Sequence, residues 1–339
     1  MVRARPVPRA SRAAPDFVAP MKALGVSAAP RGRWHCEIKF DGYRAIAAVS
    51  GRRVQLWSRN HNSLAESYPE VVEALADLKC DSAVLDGEVV ALDAEGRSRF
   101  QLLQQRELAR ARPPIVYYLF DLLQLGGRSL LGAPIEERQA ALAKLVGRRQ
   151  RGVLRLSPVF DLPPASLLAR VREQGLEGIV LKAPGSAYEP DRRSGAWLKC
   201  RISNEQEFVI GGFTPPRGGR SHFGAILAGY YQDGTLRYAG KVGTGYDRRS
   251  LAELHALFLR RRAKGCPFSD LPRPKRPRFG LGMTAAEMRT VTWLKPELVA
   301  QIRFAEWTED GLLRQPVFLG LRRDKPAKAV VREAARVRS

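Results

Sequence analysis

Residues 34–58 read WHCEIKFDGYRAIAAVSGRRVQLWS, and this stretch decides the fold class. Trp34–Lys39, Arg44–Val49 and Val54–Trp57 are short runs with strand character, separated by turn residues that include Asp41-Gly42 and Ser50-Gly51. Three strands joined by tight turns predict antiparallel sheet. Further along, Ser67-Tyr-Pro-Glu70 has the form of a capping box, with Pro just inside a helix that carries Val71, Val72, Leu75 and Leu78. Strands are expected at 83–92, 115–125, 153–159, 176–182 and 196–202, and helices near 135–146 and 164–174. The chain up to residue 202 therefore predicts an α+β domain built on largely antiparallel sheet.

After Arg201 the texture changes to strands broken by Gly- and Pro-rich loops, at 207–213, 224–231, 236–242, 290–294, 298–307 and 312–321, with a helix at 249–263. Roughly five strands and one helix fit a small β-barrel such as an OB-fold. The expected division is 16–202 and 203–328, with 1–15 a disordered basic arm and 329–339 a basic C-terminal tail. Pro267–Met283 reads as a basic, Pro/Gly-rich loop on the second domain.

Composition narrows the function. The 339 residues hold 57 Lys and Arg against 34 Asp and Glu, a net charge of +23. That excess points to a polyanionic partner, most often nucleic acid, although only 12 of the cations are lysine and a general Arg bias would also raise the total. No run approaches the roughly 18 apolar residues of a membrane span, and no apolar segment follows the N-terminal charges as in a secretory signal. Cys36, Cys80, Cys200 and Cys266 lie far apart with no CxxC pair, which argues against a disulfide framework and a structural zinc site and for cytoplasmic thiols.

Because lysine is scarce, its placement is informative. Lys39 lies in Glu37-Ile-Lys-Phe-Asp-Gly-Tyr-Arg44, at a strand end where acid and base alternate. Similar clusters follow at Ser58-Arg-Asn60, Asp86-Gly-Glu88, Phe120-Asp121, Glu177-Gly-Ile-Val-Leu-Lys182, Trp197-Leu-Lys-Cys-Arg201 and Arg322-Arg-Asp-Lys325. Each alone reads as a solvated turn; together and in order they are specific.

The series resembles the motifs of the nucleotidyltransferase superfamily of ATP-dependent DNA ligases, RNA ligases and mRNA-capping enzymes. Phe17-Val-Ala-Pro-Met21, FVIGGFTPP (208–216), RFAEWT (303–308) and LRQPVFLGLRRDKP (313–326) are similar to the ligase domains of bacterial LigD end-joining ligases, over about residues 16–326. The resemblance implies that Lys39 attacks the α-phosphate of ATP, that the AMP passes to the 5′-phosphate of a DNA break, and that the 3′-hydroxyl then displaces it. Neutral amine is rare for a free lysine of pKa near 10.4, so burial and the cations Lys182, Lys199 and Arg201 are expected around Lys39. The same cations would hold charge developing on the phosphate.

By the same resemblance Glu37 accepts from the adenine amino group, Ile38 lines the nucleotide site and Phe120 stacks on the base. Arg44 and Arg59 match positions near the ribose and the 5′-phosphate. Glu88 matches a ribose contact and, with Glu177, a place for Mg²⁺ or Mn²⁺, while Asp324 and Lys325 match a mobile motif that orients pyrophosphate. These visits imply domain closure about residue 203. Arg201 stands where the family commonly has lysine; it keeps the charge and can bind phosphate bidentately, but it is not a simple substitute.

Two further motifs have plainer readings. Gly240-Lys-Val-Gly-Thr-Gly245 lacks the spacing of a P-loop and fits a strand and turn, and Pro215-Pro-Arg-Gly-Gly-Arg220 suits either a phosphate grip or a surface loop. An RNA ligase, a capping-type guanylyltransferase and a catalytically silent nucleic-acid-binding module are the competing functions. With no polymerase or phosphoesterase segment in these residues, the expectation is a stand-alone, monomeric ligase that is associated with the nucleoid. The basic arm and the barrel loops would grip DNA, and a partner such as Ku is a candidate for a further share.

Overall fold

The computed structural model describes residues 15–107, 112–147, 152–216, 218–271 and 283–333. The basic arm, apart from Pro15, and most of the 267–283 loop lie outside them. The first strands are β1 (Leu24–Val26), β2 (His35–Ile38), β3 (Tyr43–Ser50) and β4 (Arg53–Ser58), the last three at their expected places. In α1 (Pro69–Ala76) the proline takes N1, but the N-cap is Tyr68 and no side chain caps it. The capping box expected from Ser67 and Glu70 therefore does not form. Glu70 pairs instead with Arg106 at 2.8 Å, and proline at N1 already removes one donor that a cap would serve.

The chain continues through β5 (Ser82–Ala91), α2 (Phe100–Glu107), β6 (Ile115–Leu125), β7 (Arg128–Ser129) and α3 (Ile135–Val146). It then runs through β8 (Leu154–Leu156), β9 (Val159–Phe160), α4 (Pro164–Glu173), β10 (Gly178–Lys182) and β11 (Trp197–Arg201). The single strand expected at 153–159 is split at Ser157-Pro158, where proline cannot donate to a ladder. β8 pairs with β6, whereas β9 pairs with β2, so the chain changes sheet there.

Two sheets result, β4-β3-β5-β6-β7 with β8 added beside β6, and β1-β11-β10-β2-β9. The second is sorted by the two-residue period of its strands. Cys36, Ile179, Leu181, Leu198 and Cys200 pack on Leu167 and Val171 of α4. Their neighbours Glu37, Lys182, Lys199 and Arg201 face a cleft against the first sheet. One face of each strand thus buries apolar surface while the other supplies charge.

The barrel comprises β12 (Asn204–Phe213), β13 (Ile226–Gln232), β14 (Thr235–Val242), α5 (Arg248–Leu259), α6 (Ala285–Thr290) and β15 (Thr292–Phe304). A short hairpin, β16 (Glu306–Trp307) with β17 (Leu313–Arg314), precedes β18 (Val317–Arg322). The order is β14-β13-β12-β15-β18, and a parallel bridge from Thr244 to Val317 returns the last strand to the first. This closed five-stranded arrangement is the expected OB architecture. Gly240–Gly245 is accordingly a strand end and turn. The two strands expected at 290–294 and 298–307 are one bulged strand, because pairing with β12 jumps from Leu298 to Trp293 across Pro296. A Cβ on Gly211 or Gly229 would lie 2.4 or 2.6 Å from the Phe268 ring, so both glycines admit that ring to the core.

Arg138 of α3 and Asp121 of β6 form a fully buried pair, with contacts of 2.8 and 3.0 Å, and Arg138 also donates to the carbonyls of Ala133 and Ser186. It thereby ties α3 to the sheet and to the segment before Tyr188. Removing one partner strands the other charge, so Arg138→Ala is expected to lower unfolding free energy by about 3–5 kcal/mol. Urea denaturation measures this, and an unchanged midpoint would refute it.

Candidate active site

The turn after β2 is built by tertiary contacts. Lys39 N donates to Gly178 O at 2.9 Å, and the Phe40 ring stacks on Tyr118 at 4.0 Å. Asp41 Oδ2 accepts from Phe100 N at 3.0 Å, which fastens the turn to the start of α2. A Cβ on Gly42 would meet Val89 O at 2.2 Å, so only glycine lets the turn lie against β5. The Lys39 side chain is thereby delivered into a cleft of about 480 Å³, where its Nζ lies 2.5 Å from Glu177 Oε1.

One end of the cleft is lined by the Phe120 and Trp197 rings, which meet edge to face with centroids 6.2 Å apart. Lys182 Nζ lies 4.7 Å from the Phe120 ring centroid and 4.4 Å from that of Trp197. It also pairs with Glu37 Oε1 at 2.6 Å and donates to Phe120 O. Glu37 is held from behind: Gln139 Nε2 donates to Oε1 at 2.9 Å and Ser157 Oγ donates to Oε2 at 2.8 Å. The carboxylate is buried, oriented and acceptor-only. The change of sheet at Ser157 is what puts that hydroxyl behind it.

On the opposite sheet, register sets Arg44 across from Glu88. Arg44 forks onto Asp86 at 2.9 and 2.6 Å and donates to Met21 O, while Tyr188 OH donates to Asp86 at 2.7 Å. Burial, against the pull of Lys39 and Arg44, pushes the Glu88 carboxyl up to about 7.

The barrel reaches into the same cleft. Glu207 of β12 is buried between Arg59 of the first domain and Lys325, the latter at 2.9 Å. Burial alone would raise the Glu207 carboxyl, but the Arg59 and Lys325 charges hold it well below the usual carboxylate range. Beside it, Arg322 forks onto Asp324 at 2.8 Å, lies over the Tyr43 and Phe100 rings and donates to Gly42 O. Asn60 and Gln104 of the first domain donate to Asp324 O and Leu321 O. The barrel is therefore closed onto the cleft.

Every residue expected from the sequence lines this cleft, namely Glu37, Ile38, Lys39, Arg44, Arg59, Glu88, Phe120, Glu177, Lys182, Lys199, Arg201 and Lys325, with one exception. Asp324 is turned toward Arg322. The cations expected around Lys39 are themselves paired, Lys182 with Glu37, and Lys199 and Arg201 with a shared Glu333. Burial and then the neighbouring Arg201 lower Lys199 to about 7. Gln139, Ser157, Trp197, Gln206, Glu207 and Glu333 were not expected. Glu207 and Glu333 carried a signal, one an acid opening an apolar strand, the other the sole acid after Asp324.

Comparison with known proteins agrees across both domains. The family model for the ATP dependent DNA ligase domain matches residues 19–201, and that for the ATP dependent DNA ligase C terminal region matches 219–325. The multifunctional non-homologous end joining protein LigD of Pseudomonas aeruginosa is 39% identical over 322 residues, 94% of this chain and 37% of that protein. DNA ligase C of Mycobacterium tuberculosis is 30% identical over 315 residues, 85% of each chain. A solved mycobacterial DNA ligase D, complexed with ATP and MES, superposes with a TM-score of 0.66 at 35% identity, covering 93% of this chain and 98% of that one. The chain thus spans little more than a third of the Pseudomonas protein.

The interface makes its own prediction. Glu207→Ala would leave Arg59 and Lys325 facing each other, at a cost of about 3 kcal/mol or more. Because that cost is relieved by separating the domains, the expected result is a larger radius of gyration in solution scattering, with the melting temperature nearly kept. An unchanged scattering profile would count against Glu207 as the closing contact.

Proposed function

This chain belongs to the ATP-dependent DNA ligase family, and on that premise we propose that it seals 5′-phosphate/3′-hydroxyl breaks in duplex DNA through a lysyl-AMP and then a DNA-adenylate. The observation that carries the reading is Lys39, at the end of a strand beginning with His35, sharing one cleft with Lys182, Lys199, Arg201 and the barrel-borne Lys325. Lys39 Nζ attacks the α-phosphorus of ATP, the bond to the β-phosphate oxygen breaks and pyrophosphate leaves. The amine must shed a proton to react, and Glu177 Oε1 is the acceptor within reach. Lys182, Lys199 and Arg201 hold the α-phosphate oxygens, and Lys325 the departing pyrophosphate.

The Phe120 and Trp197 rings with the locked Glu37 form the base pocket. An acceptor-only carboxylate there favours the amino group of adenine over the carbonyl of guanine. Arg44, Arg59 and Glu88 take the ribose and the 5′-phosphate of the break. Glu177 is also the residue that fits a divalent cation, since its Oε2 is buried without a hydrogen-bond partner among the described residues. With Glu88 nearby, Mg²⁺ or Mn²⁺ held there through phosphate and water oxygens would neutralise phosphate charge.

The LigD relatives and the net charge of +23 support a role in end joining, with broken duplex DNA as substrate, a DNA-end partner such as Ku, and a monomeric chain at the bacterial nucleoid. No helix of the described residues is long and apolar enough to cross a membrane. The same reading puts the domain joint near residue 203, and the break between β11 and β12 supports it.

Intact mass after incubation with Mg²⁺ and ATP should show a gain of one AMP in wild type and none in Lys39→Ala, reversed by pyrophosphate and discharged on nicked DNA. GMP in place of AMP would move the reading to capping chemistry, and no adduct would remove the ligase reading. A pH series gives a second check. Lys199, at about 7, is charged below that pH and loses its charge above it. Apparent affinity for ATP is therefore expected to weaken as pH rises from about 6.5 to about 8.5. Lys199→Arg, which keeps its charge, should flatten that limb; an unaltered profile would refute the assignment.

A further inference from the structure

The residues after β18 do not trail into solvent. A short 3₁₀ turn (Ala327–Ala329) brings Val330 into the barrel core, where its carbonyl accepts from Tyr231 N at 2.7 Å. Val331 forms a parallel bridge with Tyr231. Gln206 then grips the backbone from both sides, donating Nε2 to Val331 O at 3.1 Å and accepting from Glu333 N at 3.0 Å. The Arg332 guanidinium lies 4.3 Å from the Trp307 ring centroid. Four consecutive residues are thus seated on the barrel, and the last is aimed into the cleft.

Glu333 Oε2 accepts from Lys199 Nζ at 2.9 Å and from Arg201 Nη1 at 3.1 Å. Burial would raise its carboxyl, but those two cations outweigh burial and hold it at about 2, so it is ionised. A carboxylate on this pair presents the negative charge and one acceptor oxygen of a phosphate. It cannot share the pair with a nucleotide phosphate without two anions meeting in a poorly solvated place. Because the segment is bonded to Tyr231 and Gln206, it travels with the barrel, and Glu333 reaches the pair when the barrel closes over an empty seat; over bound nucleotide its side chain is turned off the pair.

We propose that Val330–Glu333 is an internal plug, with Glu333 occupying the α-phosphate seat on Lys199 and Arg201 in the closed, nucleotide-free enzyme and competing with ATP for it. This rests on the ligase reading for the identity of the competitor, though not for the contact. The plug keeps two adjacent cations paired when no substrate is present. It also favours ATP entry while the barrel is open, with the final closure made over bound nucleotide.

The test uses the full chain, stripped of AMP with pyrophosphate, as wild type, Glu333→Gln and Gln206→Ala. Lysyl-AMP formation is followed against ATP concentration, and binding of inorganic pyrophosphate is measured by calorimetry in the same proteins. A seat plugged most of the time binds with affinity reduced by its free fraction, so Glu333→Gln should lower the apparent KM for ATP roughly 3- to 10-fold and tighten pyrophosphate similarly. Gln206→Ala frees the same segment without altering a charge and should move both in the same direction. An unchanged KM and unchanged pyrophosphate affinity would overturn the plug, as would a fall in maximal rate with KM unchanged or raised. If wild type forms no adduct yet Glu333→Gln still tightens pyrophosphate, the ligase reading falls and the plug stands.

Discussion

Charges can be crowded into a protein cleft only if each finds an opposite, because desolvating an unpaired ion costs more than packing returns. Most of the charges in the cleft obey this constraint, and Glu88, which has no ion-pair partner among the described residues, is pushed up to about 7 instead. Lys39 has Glu177, Lys182 has Glu37, Arg44 has Asp86 and Arg322 has Asp324. Glu207 serves Arg59 and Lys325 together, and Glu333 serves Lys199 and Arg201. The two shared carboxylates come from the barrel side of the chain and the cations they quench come largely from the other side. Charge balance in the cleft therefore also helps to hold the domains closed, alongside the hydrogen bonds from Asn60 and Gln104 and the seat of Arg322 on the first domain.

The pairs differ in how replaceable they are. Arg44 with Asp86 and Arg138 with Asp121 are forked, buried and braced by further hydrogen bonds, so they fix geometry. Lys39, Lys199 and Lys325 are held by simpler contacts between an ammonium and a carboxylate, which a phosphate of greater charge can displace. The forked arginines thus supply the frame, while Lys39, Lys199 and Lys325, with Arg59 and Arg201 beside them, supply exchangeable positions.

Much of this was legible in the sequence because strand ends carrying alternating acid and base violate the expectation of apolar ends. Strands were legible wherever turn residues punctuated them. α2 was not, since FQLLQQRE has little apolar stripe and is held by Asp41 capping it from 59 residues away in sequence. The box at Ser67 failed because proline at N1 had already met part of the need. β15 was read as two strands because a bulge and a break look alike in one chain. Gln139 and Ser157 are ordinary polar residues whose meaning comes from a partner over 100 positions distant, and no local pattern encodes that; Glu207 and Glu333 stand out locally as acids, but their partners are equally remote.

The interleaving of the two sheets has a consequence for synthesis on the ribosome. The sheet centred on β3, β5 and β6 draws on one nearly continuous stretch, with β8 its last strand, and can assemble early. Its companion takes β1 and β2 from before that stretch and β9, β10 and β11 from after it, with Leu24 paired to Leu198. β1 and β2 must therefore wait, edges unsatisfied, until residue 201 has emerged. Contacts of such separation form slowly, and waiting strand edges invite mispairing. The cleft lies between the sheets, so it is among the last features of the nascent chain to exist, and a truncated chain would hold most of the residues and none of the site.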